Sequence, residues 1–208
     1  MTRNPAFLIH DWFLRHPTDL DFITVGHAAP YSVIGPWTDA SLVLYTTKPN
    51  AILHDIKNQD WTSRFALIGR CGLPNAEDLD WINAIRKSRQ LVFLGDLDPP
   101  DLMIYQWLKS LSGGSVLFLG VSDFLIDALG TPYSDSFLMA LSDKELESFE
   151  LLADVYPDFR ETVGPQCAAI LDRQRKLEVE AIVSANKGNE SVILRALNLL
   201  CASKPPNH

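Results

Sequence analysis

The segment best equipped for chemistry is Leu91-Val92-Phe93-Leu94-Gly95-Asp96-Leu97-Asp98-Pro99-Pro100-Asp101. A short, unbroken apolar run ends at a glycine, and three aspartates follow within six residues. In an extended chain, residues two apart face the same side, so Asp96 and Asp98 would both project from the carboxyl end of a buried strand. Open α/β sheets bind their ligands at that edge. Carboxylate oxygens placed there suit a hard cation such as Mg²⁺, which takes one or two carboxylates and completes its shell with water and phosphate oxygens. Gly95 would let backbone and ion approach closely, and Asp101 would stand in the outer shell. The same residues have a structural use as well. Asp98 before Pro99 reads as a helix N-cap with proline at the first helical position, and Asp96 can accept from loop amides. Spacing alone does not choose between the two uses.

The elements that must position these carboxylates follow from the hydrophobic pattern. Leu42–Tyr45, Phe65–Ile68, Leu91–Leu94 and Val116–Leu119 are short continuous apolar runs, the pattern of strands covered on both faces of a parallel sheet. The spacers have helix-and-loop length, which predicts right-handed crossovers and an α/β layer structure. Asn75 can cap a helix through Trp81, Ile82 and Ile85; after Asp98, Met103, Ile104, Trp107, Leu108 and Leu111 keep helical spacing. Phe22–Val25 is a candidate edge strand. Beyond about residue 130, Ser142-Asp143-Lys144-Glu145 reads as a capping box. Further helices are expected from Pro165 towards Asn186 and from about Glu190 to Cys201. The resulting division is an N-terminal helical or edge segment (1–38), an α/β core (39–132), a helical annex packed on it (133–203) and a disordered tail (204–208).

Gly95-Asp96-Leu97-Asp98-Pro99, with Leu102, Ile104 and Tyr105 behind it, resembles the acidic motif of Toprim domains. The likeness is nearest to the branch that includes the topoisomerase VI A-subunit and the nuclease subunit of Wadjet systems. Ile68-Gly69-Arg70-Cys71-Gly72-Leu73-Pro74-Asn75 resembles that branch's strand-then-glycine turn, and Leu119-Gly120-Val121-Ser122-Asp123-Phe124-Leu125 the segment after its next strand. Lys176-Leu177-Glu178-Val179-Glu180 is similar to a charged element near the end of the Wadjet subunit. The resemblance covers residues 40–130 and, faintly, 165–183. It implies a mostly parallel, Rossmann-like sheet, Mg²⁺ on Asp96 and Asp98, and a connection with DNA processing. Any activity would be Mg-dependent phosphodiester chemistry of nuclease or topoisomerase type. The partners implied are DNA or a DNA-processing protein, with self-association open.

One departure bears on activity. Toprim domains carry a glutamate at the end of their first strand, facing the aspartates. Here that strand ends Tyr45-Thr46-Thr47-Lys48, which puts Thr46 or Thr47 at the glutamate's position. A threonine hydroxyl supplies neither a full negative charge nor a general base near neutral pH. Asp39, Asp55 and Glu180 are the candidate substitutes. The alternative function is therefore a non-enzymatic interaction module that kept the fold.

Composition sets the outer limits. At 208 residues and 47% hydrophobic, the chain can bury a core without metal or disulfide staples. A formal charge of −8 gives no general attraction to a phosphate backbone. No apolar run approaches the ~18 residues of a membrane span, and Met1–Pro5 lacks a signal layout, so a cytoplasmic protein without membrane contact is expected. Cys71, Cys167 and Cys201 have no metal-knuckle spacing and read as small core residues. His27, in a glycine-containing turn, could border a pocket; Arg64, Arg70, Arg86, Lys87 and Arg89 could form a modest basic rim.

Overall fold

A computed structural model describes residues 5–15, 31–34, 42–57, 59–61, 65–70, 73, 80, 82–83, 89–111, 116–130, 132–188 and 190–202. After α1 (Pro5–Arg15) and β1 (Tyr31–Ile34), the four apolar runs supply β2 (Leu42–Thr46), β3 (Ala66–Arg70), β4 (Gln90–Leu94) and β5 (Val116–Phe118). These four are mutually parallel in the spatial order β3-β2-β4-β5, and β1 adds to β3 as an antiparallel edge. Every residue of β2 and β3 is buried, as continuous apolar runs require when both sheet faces are covered. The fold is thus α/β with a mostly parallel, Rossmann-like sheet. The candidate strand Phe22–Val25 and most of the helix expected after Asn75 lie outside the described residues.

The strand order has a consequence for function. Connections leave the centre of the sheet in opposite directions from β2 and β4, which makes the gap between their carboxyl ends the topological switch point. Thr46 and Leu94 are register partners there, so Thr47-Lys48 and Gly95-Asp96 emerge side by side. Beneath them Phe93 is fully buried, with Tyr45, Tyr105 and Phe118 rings centred 5.8–6.2 Å away. From β2 the chain enters α2 (Pro49–Ile56), from β4 it enters α3 (Pro99–Leu111), and from β5 it enters α4 (Asp123–Leu129). α3 is buried at Leu102, Met103, Ile104, Tyr105, Trp107 and Leu108, because α1 and the annex cover the faces the sheet leaves free.

The annex opens with α5 (Asp143–Val155). Its capping box is formed: Ser142 Oγ accepts from the Glu145 N–H, and Glu145 accepts from the Ser142 N–H at 2.7 Å. α6 (Phe159–Val163) and α7 (Pro165–Asp172) follow. The expected single helix from Pro165 to Asn186 is broken. Gln174 takes a left-handed φ of 56°, and β7 (Arg175–Lys176) pairs antiparallel with β6 (Met139–Ala140) before the helix resumes as α8 (Val179–Ala185). Leu177 and Val179 are both fully buried while Lys176 and Glu178 are only half-buried, a two-residue period that an extended chain satisfies and a helix cannot. Leu177 exchanges backbone hydrogen bonds with Leu97 (2.9 and 3.4 Å), which seats the annex directly on the aspartate loop.

The last helix, α9 (Val192–Ala202), appears where expected. Cys167 is buried, but Cys201 is exposed on its final turn and is no core residue; Cys71 lies outside the described residues. Ser191 Oγ accepts from the Leu194 N–H at 3.0 Å. The Asp55 carboxylate, from the end of α2, accepts both the Ser191 hydroxyl and the Ile193 N–H, the latter at 3.0 Å. Asp55 thus helps satisfy the open first turn of α9. Asp55→Ala should lower unfolding free energy by about 1–2 kcal/mol, the usual worth of a helix cap. A urea titration reads this as a lower midpoint at unchanged slope; an unchanged midpoint would remove Asp55 from the cap.

Candidate metal centre

Asp96, Asp98 and Asp101 meet at the carboxyl end of β4, with one oxygen of each within 4.8 Å of the others. All three are buried, Asp96 to 1% exposure. Local folding explains the convergence. Asp98 caps α3, its Oδ1 accepting from the Asp101 N–H at 2.8 Å. The loop then curls around Asp101, whose Oδ2 accepts from the Asp96 N–H and from the Thr47 hydroxyl, each at 2.7 Å. Gly95 is needed for this curl, since a Cβ there would stand 2.5 Å from Asp101 Oδ2. Asp96 reaches two other elements. Its Oδ1 accepts from the Val179 N–H at 2.8 Å, in the first turn of α8, and its Oδ2 lies 2.5 Å from Lys48 Nζ. The latter is an ion pair between a buried carboxylate and a partly exposed ammonium.

The electrostatics follow from burying three acids around one ammonium. Burial, then the charge of Asp98, pushes Asp96 up to about 7 despite the pull of Lys48. Burial followed by Asp101's charge raises Asp98, and burial followed by Asp96's charge raises Asp101. Burial pulls Lys48 down, but Asp96, Asp101 and Glu180 outweigh it and hold the ammonium above its ordinary value. A second cation stands at the margin. Lys176 pairs with Glu145 at 2.7 Å and also feels the field of Asp98. Burial opposes ionisation of Glu145, yet Lys176 and the Ser142 N–H hold that carboxyl below its usual range.

The predicted site residues fall into three groups. Asp96, Asp98 and Asp101 converge, each bringing one oxygen to the cluster. Thr47 reaches it through Asp101, whereas the Thr46 hydroxyl accepts from the Lys48 N–H at 2.9 Å. Glu180 is exposed on the first turn of α8 and acts on Lys48 through its charge. Asp55 is engaged at α9 and does not join the cluster. Asp39, His27, Arg64, Arg86 and Lys87 lie outside the described residues, and Arg70 is buried. Sequence reasoning missed Lys48 as a partner of Asp96. Its position just after β2, at the same sheet edge, was the available signal.

The donor set fits a hard divalent ion. It consists of carboxylate oxygens alone, one from each of three aspartates within 4.8 Å of one another. The triad can therefore hold a metal ion. No family model matches the chain, and no curated protein matches it in sequence. Among the described residues, no helix is long and apolar enough to cross a membrane.

The raised acids set a pH dependence. Between its ordinary value of 3.8 and about 7, Asp96 keeps in the folded state a proton that the unfolded chain releases. Its contribution to stability is therefore greatest at low pH and declines as pH rises through that window. Metal-free thermal unfolding should show a Tm several degrees lower near pH 8 than near pH 5, and Asp96→Asn should flatten the slope. A Tm constant or rising over that range would mean that burial does not penalise these carboxylates.

Proposed function

We propose that the chain is a Toprim-like, divalent-metal-binding protein connected with DNA processing, with weakened or lost catalysis. The observation that carries this reading is the Asp96/Asp98/Asp101 cluster at the switch point of a β3-β2-β4-β5 parallel sheet. Mg²⁺ is the ion assigned, because an all-carboxylate donor set favours a hard cation. Such an ion supplies polarisation of phosphate oxygens and stabilisation of the charge that develops in phosphodiester displacement. The chain's own residues contribute the three carboxylates and a loop fixed by Thr47, Gly95 and the Val179 N–H. No further carboxylate is supplied from the end of β2, since Thr47 donates to Asp101, and Glu180 is turned to solvent. DNA, or a protein that handles DNA in the cytoplasm, is the proposed partner, with a second copy of the chain as a further one.

The second reading, a non-enzymatic interaction module, is favoured by one specific feature. Each carboxylate already serves the fold: Asp98 caps α3, Asp101 organises the loop, and Asp96 holds α8 and Lys48. One experiment separates the readings. Under the metal-binding reading, isothermal titration with Mg²⁺ or Mn²⁺ gives binding on the order of millimolar, as few free oxygen ligands imply. Asp96→Asn with Asp98→Asn abolishes it, and plasmid nicking in Mg²⁺ is negligible. Binding that survives the double substitution would refute the site. Efficient nicking lost in the double variant would refute weakened catalysis.

A further inference from the structure

We propose that Lys48 is an intramolecular lock on the acidic cluster, its ammonium standing at Asp96 where a divalent cation would otherwise bind, so that the ion enters only as Lys48 swings outward to Glu180. The inference rests on the reading of the triad as a divalent-metal centre and concerns what regulates access to it.

Three observations carry it. First, Lys48 Nζ lies 2.5 Å from Asp96 Oδ2, so the ammonium already occupies one oxygen of the acidic cluster. An ion bound to that oxygen at about 2.1 Å would lie at most about 4.6 Å from the ammonium, so the two cations compete for one acceptor. Second, the pair is asymmetric. The Asp96 side chain is 1% exposed and fixed by the Val179 N–H, while the Lys48 side chain is 27% exposed on a flexible four-carbon stem. The lysine is the member that can leave. Third, its outward path has a destination. Glu180 is exposed on the first turn of α8, one residue after Val179, whose N–H sits on the same carboxylate as Lys48. Thr47, the preceding residue, is held on Asp101, so the movement is confined to the lysine stem and leaves the loop in place.

The test uses the full chain and Mn²⁺ alone, read by isothermal titration and by the Mn²⁺-induced change in Tm. Lys48→Gln should bind Mn²⁺ at least tenfold more tightly than wild type and gain the larger Tm increase, whereas Lys48→Arg should bind no better than wild type. Adding Asp96→Asn to Lys48→Gln should erase the gain. Should Lys48→Gln fail to fold, Glu180→Gln is an exposed change that removes the outer station. It should weaken Mn²⁺ binding severalfold, and unchanged affinity there would overturn the exchange. Lys48→Gln binding equal to or weaker than wild type overturns the lock. If wild-type binding is still lost in Asp96→Asn with Asp98→Asn, the metal centre survives that failure. If neither wild type nor Lys48→Gln binds Mn²⁺, both fall.

Discussion

The contact on which the rest depends is that between Asp96 and Lys48. A carboxylate at 1% exposure is tolerable only if its charge is compensated and its lone pairs are used. Both oxygens of Asp96 are engaged, and each holds a different part of the chain. Oδ2 draws in Lys48 from the end of β2, and Oδ1 takes the Val179 N–H from the start of α8. One side chain thus joins the two central strands to the annex. Removing Lys48 would leave the 1%-exposed Asp96 without its compensating charge, a larger loss than the pair's own net worth, whereas Lys48 is partly exposed and can find water. Fold and candidate site therefore share the same residues and cannot be altered separately.

Helix α3 adds a constraint of its own. Its amino terminus favours negative charge, so Asp98 and Asp101 sit where backbone dipoles support carboxylates. The same dipoles disfavour a cation. Two effects then oppose each other at one place, and the balance is decided by number. The helix end offers partial charges, whereas the three acids lie within 4.8 Å of one another and raise each other's affinity for protons, so the cluster demands positive charge as protons or as cations. In this structure the demand is met in part by Lys48, with Lys176 contributing from beyond Glu145.

What could be read from sequence was local. Continuous apolar runs mark β2 to β5 because burial on both faces leaves no alternation, and Asp98-Pro99 and Ser142-x-x-Glu145 mark helix starts because capping is decided within four residues. What could not be read depends on distant segments. Lys48 and Asp96 are brought together only by the pairing of β2 with β4. Asp55 and Ser191 are 136 residues apart in the chain. The break at Gln174 is an intermediate case: the alternation Lys176-Leu177-Glu178-Val179 was visible, but helical texture on either side concealed it until Leu97 supplied a strand partner.

The threonine at position 47 ties these points together. The glutamate implied by the Toprim resemblance would add a further negative charge to a pocket already holding three carboxylates against one contacting ammonium. Thr47 instead contributes no charge and donates to Asp101 at 2.7 Å, which favours the ionised form of that carboxylate. With Lys48 beside it on Asp96, the pocket closes electrostatically from within. At this sheet edge Thr47 therefore adds a donor without adding charge, while Lys48 adds the positive charge. Two adjacent residues at the end of β2 thus supply a hydrogen-bond donor to one buried carboxylate and a positive charge to another.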